Sequence, residues 1–235
     1  MDQNDKNNNY LLPISIIVAA LLIAGAWIYT AGLKNVGNGK TPEKPAETSL
    51  NIENVAAVNS NDHIRGNLEA EVKIVEFSDL ECPFCKSFHS TMKQVMEGYG
   101  DKVAWIYRHY PIDQLHPKAR TSAVASECAA ELGGNEKFWA YVDRYFEITP
   151  SNNQIDLAEL PQIAQDIGLN RVQFENCLNS GRHQQLIEEQ IQDALNSGAR
   201  GTPYSIVISK DGKKYPISGA YSFNDVNLII NEALK

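Results

Sequence analysis

Positive charge is what this chain lacks first: 21 Lys and Arg stand against 29 Asp and Glu, a formal net charge of −8 over 235 residues. No basic stripe is available to neutralise phosphates, so nucleic acid is not an expected partner. Cysteine is scarce at four and histidine at five. No internal repeat is visible, and no low-complexity tract extends beyond the Asn-rich first ten residues. With 43% hydrophobic and 21% charged residues, the composition is globular rather than disordered or collagen-like, and the length suits one domain plus an appendage.

Charge is missing altogether from "YLLPISIIVAALLIAGAWIYTAGL", Tyr10 to Leu33. At about 1.5 Å of rise per residue this stretch can cross a hydrocarbon layer of roughly 30 Å. Ala24-Gly25-Ala26 offers a signal-peptidase site, but the apolar run continues past it and the preceding residues carry one lysine against two aspartates. An uncleaved membrane anchor over 1–33 is therefore expected. Lys34, Lys40 and Lys44 follow the run, so the positive-inside rule does not by itself place the rest of the chain outside. Residues 34–60, rich in Gly, Pro, Asn and charge without apolar period, read as a flexible tether.

A folded domain over 61–235 is expected. A buried strand at Val72 to Ser78 is followed by a helix from Pro83, whose apolar positions Phe84, Phe88, Met92, Val95, Met96 and Tyr99 recur at helical spacing. A second strand is predicted at Val103 to Arg108. Helical pieces fill about 114–198. A hairpin about Asp211-Gly212 and a helix from about Asn224 close the chain.

The chemistry concentrates in "DLECPFCKSF", Asp79 to Phe88. Cys82 falls at the junction of strand and helix as the N-cap, with Pro83 at the first helical position, where a missing N–H costs nothing. Unpaired N–H groups and the positive end of the helix dipole favour a thiolate there, lowering the pKa from about 8.5 into the range of roughly 3.5–7.5. Cys82 is the expected nucleophile and Cys85, one turn further in, the resolving thiol. Glu81 opposes this through like charge. A zinc site would need two further ligands: His89 could supply one but reads as a solvated helix residue, and no second C-x-x-C exists. Haem attachment would need histidine where Lys86 stands. Glu76 shares a strand face with Val72 and Ile74, an apolar setting that raises a carboxyl's pKa. His109 reads as a strand end and His116-Pro117 as a helix start, neither with a chemical role.

With its flanking strand and helix, "VEFSDLECPFC" resembles the active-site segment of the DsbA-like thiol-disulfide oxidoreductases of the thioredoxin superfamily. "GTPYSIV" resembles their cis-proline loop and "RHYPIDQLHPKA" the stretch leading into their inserted helices. The likeness covers residues 61 to 235 and implies an α/β thioredoxin-like fold with a helical subdomain inserted at about 114–198, preceded here by the N-terminal transmembrane helix. It further implies catalysis by Cys82 and Cys85, with Glu76 shuttling the proton of Cys85. Client chains would bind at Pro83, Phe84, Thr202 and Pro203, the last as a cis proline beside the cysteines. Members often carry a second disulfide in the helical insertion, which here would join Cys128 to Cys177; two buried free thiols are the alternative.

The function so implied is introduction of disulfides into exported proteins, without cofactor or metal. Its partners would be reduced or unfolded exported proteins and a membrane reoxidase of the DsbB or vitamin K epoxide reductase type. A thiol oxidant belongs outside a reducing cytosol, so a bacterial cytoplasmic membrane protein is expected, monomeric, with its catalytic domain on the extracytoplasmic side. An isomerase or reductase of the same fold, or an anchored copper-type metallochaperone, would fit the same cysteines.

Overall fold

The structure is a computed structural model that describes residues 52–235. The expected anchor and most of the tether lie outside the described residues. Among those residues no helix is long and apolar enough to cross a membrane.

Five strands form one sheet in the order β1-β3-β2-β4-β5. They are β1 (His63–Arg65), β2 (Val72–Ser78), β3 (Val103–His109), β4 (Tyr204–Ile208) and β5 (Lys214–Ser218). β2 and β3 run parallel, in register from Val72 opposite Val103 to Ser78 opposite His109. β1 on β3, β4 on β2 and β5 on β4 are antiparallel. The parallel central pair needs a crossover, which α1 (Pro83–Tyr99) supplies. The short β1 has no apolar alternation, which is why sequence reasoning missed it.

Central strands are buried on both faces. Val72 and Ile74 point into the larger core with Trp105 and Tyr107 of β3 and Phe88, Met92 and Val95 of α1. Val75 and Phe77 point the other way, toward Ala104, Ile106, Tyr204 and Ile206. This alternation places Glu76 on the α1 face, as expected from its spacing.

Between β3 and β4 lie α2 (Ala119–Ile148), α3 (Leu160–Asp166), α4 (Arg171–Ser180) and α5 (Gln184–Asn196). Two of the expected helical pieces join in α2, broken at Gly133 and Gly134. Gly134, at φ 72° and ψ −169°, adopts a backbone that essentially only glycine tolerates. Cys128 of α2 and Cys177 of α4 form a disulfide, with Cα atoms 5.8 Å apart. After β5, α6 (Phe223–Ala233) packs its buried Val226 and Ile230 into the same core as α1.

Residues 52–60, assigned to the tether from sequence, include a short 3-10 turn at Ile52–Asn54 and make specific contacts. The Ala56 N–H donates to Asp193 of α5 at 2.8 Å, and buried Arg108 donates to the Ala56 carbonyl at 3.0 Å. Arg108 also pairs with Asp62 and Asp193 at 2.8 and 2.7 Å. A buried guanidinium needs this many acceptors, and the polar segment before β1 supplies several of them.

Candidate active site

The turn after β2 delivers the cysteine motif to one end of the sheet. Cys82 caps α1 with an extended backbone (φ −78°, ψ 123°), Pro83 takes the first helical position, and the Cys82 carbonyl accepts the Lys86 N–H at 3.1 Å. Cys82 is 5% exposed and Cys85 fully buried; the two are free thiols.

Their surroundings drive the two sulfurs apart. Hydrogen bonding from the Cys85 thiol and the N–H groups of the first helical turn outweighs burial and lowers Cys82 to about 6. Cys85 moves well upward, chiefly by burial and then by holding its proton toward the Cys82 sulfur, with the charge of Glu76 adding to the rise. Such a pair keeps a nucleophile ionised at neutral pH and its partner protonated.

Across from the cysteines, the Thr202-Pro203 bond is cis, and the Thr202 carbonyl lies 3.5 Å from Cys82 Sγ. Pro203 is buried and immediately precedes β4, where a proline can open a strand. Cys82, Pro83, Phe84 and Thr202 line one open groove of about 660 Å³, shared with Leu115 and Arg200. Phe84 is 64% and Leu115 66% exposed. These apolar side chains flank the backbone carbonyl that meets Cys82 Sγ, an arrangement suited to an extended chain bound through its main chain.

Glu76 is fully buried behind the pair, and the Trp105 indole N–H donates to its carboxylate at 2.8 Å. Desolvation raises its pKa from 4.5 to about 7, so it can carry a proton near neutrality.

Two sequence-based expectations are corrected. His89 is not solvated: it is buried against Trp105 and Phe146, with Nε2 2.7 Å from Asp143. Helical spacing puts it on the same inward face as Phe88 and Met92, and Asp143 of α2 provides a partner that sequence alone could not show. Glu81, expected to oppose the Cys82 thiolate, points away from it. Its carboxylate accepts hydrogen bonds from the Tyr145 hydroxyl and the Asn153 N–H, and its carbonyl accepts from the Asn152 N–H at 2.7 Å. Ser151, Asn152 and Asn153 hold this loop with φ between 52° and 64°, a conformation that asparagine tolerates better than most residues. Sequence reasoning also missed Asp79, whose N–H donates to Cys85 Sγ at 3.4 Å, and its partner His116. Asp79 stands within the cysteine motif, so a signal was there; its bond to His116 spans a gap that no local spacing reveals.

Comparison with known proteins fits this geometry. The thioredoxin family model matches residues 58–231. The chain belongs to that family. Among solved structures, Pseudomonas aeruginosa DsbA2 is similar with TM-score 0.63 and 24% identity, covering 76% of this chain and 97% of that one. Wolbachia pipientis alpha-DsbA1 gives TM-score 0.66 and 23% identity, covering 77% and 95%. The fold is thus the thioredoxin-like, DsbA-type one. Among curated relatives, the Na(+)/H(+) antiporter NhaA 1 of Mycolicibacterium vanbaalenii is 26% identical over 202 residues, 85% of this chain and 31% of that protein. The chain spans less than a third of the length of the curated relatives it matches.

Proposed function

We propose that this protein is a thiol-disulfide oxidoreductase that introduces disulfides into exported proteins. The observation that carries the reading is the divided pair: Cys82 lowered to about 6 beside an open groove, Cys85 raised and buried behind it. A thiolate stabilised in the reduced form makes the corresponding disulfide easier to reduce, hence a better oxidant. The turning away of Glu81 removes the one feature of the motif that argued against this direction. A client thiolate attacks Cys82 of the disulfide form, and Cys85 leaves. A second client thiol then releases the oxidised client. Glu76, buried and raised to about 7, would exchange the proton of Cys85 in that cycle.

The copper-delivery reading would need a third ligand, and His89, the candidate from sequence, is committed to Asp143 inside the core. An oxidant of this kind works outside the reducing cytosol. We therefore place the domain on the extracytoplasmic face of a bacterial membrane, tethered as a monomer by the apolar segment 10–33. A membrane reoxidase of the DsbB or vitamin K epoxide reductase type would accept its electrons, and tethering raises the effective concentration of that encounter.

Equilibration of the protein with a glutathione buffer tests the direction, with Cys82→Ser as control. A potential near about −120 mV is expected for an oxidant, and one near about −270 mV would assign the chain to the reductases.

A further inference from the structure

The Asp79–His116 pair has no part in the cycle above, yet it is built into the same site. Asp79 is buried, and both of its carboxylate oxygens are engaged. Oδ1 accepts from the Glu81 N–H at 2.8 Å; Oδ2 accepts from the Ile112 N–H at 2.9 Å and faces His116 Nδ1 at 2.8 Å. Its backbone meets both cysteines: the N–H donates to Cys85 Sγ, and the carbonyl accepts the Cys82 N–H at 3.1 Å. One residue thereby ties the position of the imidazole to that of the two sulfurs.

With Nδ1 donating to a carboxylate, the neutral imidazole carries its acceptor on Nε2. None of the hydrogen bonds found among the described residues uses that atom, and His116 lines the groove that holds Cys82 and Thr202. A carboxylate orienting one ring nitrogen and leaving the other to a reacting proton is the arrangement of a general base.

We propose that His116 is the general base that takes the proton of the client's second thiol as the mixed disulfide on Cys82 is resolved. This rests on the exchange chemistry proposed above. In the mixed disulfide one client sulfur is bonded to Cys82 Sγ. The client's second thiol passes its proton to His116 Nε2, and its sulfur attacks the first client sulfur. The new client disulfide forms as the bond to Cys82 breaks, and the electron pair leaves on Cys82 as thiolate. The client loses two electrons over the cycle, and the enzyme disulfide gains them. The imidazolium then returns its proton to water. The charged and titratable groups about the imidazole are Asp79, which holds it, and Cys82 and Arg200, which share its groove. The Glu81 carboxylate is turned to Tyr145 and Asn153.

The test uses the full chain in mild detergent carrying Cys85→Ser, with Cys82 joined in a mixed disulfide to a one-cysteine peptide. Resolution by a second peptide thiol is followed from pH 5 to 9. His116→Asn keeps a donor for Asp79 and removes the base. We expect it to resolve on the order of 10²-fold more slowly at pH 7, with a rate that tracks the thiolate fraction of the attacking peptide; the parent's rate falls less steeply toward acid. His116→Ala should be rescued by added imidazole, a response that loss of a structural contact would not produce. Equal rates and pH profiles for parent and His116→Asn would overturn the proposal, as would failure of rescue in a His116→Ala variant that remains folded. Failure of the Cys82–Cys85 disulfide form to oxidise a two-cysteine peptide would instead overturn the oxidase direction, and leaves the exchange assay able to judge His116.

Discussion

Cys82 and Cys85 stand one helical turn apart at the start of α1, while Cys128 and Cys177, 49 positions apart, join the interiors of α2 and α4. Within each pair the functional groups are the same. Around the first, a helix start, a Thr202 carbonyl and an open groove meet one sulfur, and a buried carboxyl stands behind the other. Around the second, both residues are at most 1% exposed and the disulfide is closed among packed side chains. The contrast teaches that access and thiolate stabilisation at one sulfur set the first pair apart; the second is closed in a disulfide and the first stands as two free thiols.

Removing a sulfur from each pair should separate chemistry from stability. Cys82→Ser is expected to bring peptide oxidation down to the uncatalysed rate, measured by loss of free thiol, with the melting temperature nearly unchanged. Replacing Cys128 and Cys177 together by Ser should do the reverse. It lowers stability by about 4 kcal/mol in the chain-entropy account of a loop of this length, read by urea unfolding, and leaves turnover at 25 °C in place.

Glu76 sharpens the comparison because its charge acts on the first pair. Its folded value of about 7 lies above the ordinary 4.5, so between these values the folded state retains a proton that the unfolded chain has lost. The stability this group contributes is full below about pH 4.5 and is lost as pH rises through 7. Glu76→Gln should abolish that decline, a relative gain of at most about 3 kcal/mol above pH 7, seen as a flatter pH dependence of urea midpoints. It should also slow exchange through Cys85.

Alkylation distinguishes the pairs more finely. Iodoacetamide titrated against pH should modify Cys82 with an inflection near 6 and leave Cys85, Cys128 and Cys177 unmodified in the folded protein. Two adducts at neutral pH would contradict the division of the first pair. The smallest effect on the cysteine pair is expected from Glu81→Gln. It disturbs the hydrogen bonds to Tyr145 and Asn153 and costs about 1–3 kcal/mol, yet keeps the alkylation inflection of Cys82, because the carboxylate points away from the sulfur.

Much of this was legible in the chain. β2 runs over the expected residues, Val72–Ser78, and the hairpin and final helix stand where the turn signals put them. These elements rest on local patterns: apolar runs, an Asp-Gly turn, a proline at a helix start. Sequence reasoning failed where partners come from distant elements. His89 and Glu81 were misjudged because Asp143, Tyr145 and Asn153 lie more than fifty residues away, and β1 lacks any pattern of its own.

Cys82, Cys85 and the Thr202-Pro203 step were determined by the sequence itself, because a helix N-terminus and a strand start are local structures with local signals. The tertiary structure alone decided which carboxylate faces which sulfur, which histidine joins the groove, and how far each group's proton affinity moves. Burial and hydrogen bonding set those affinities, and both depend on what the rest of the fold brings within a few ångströms.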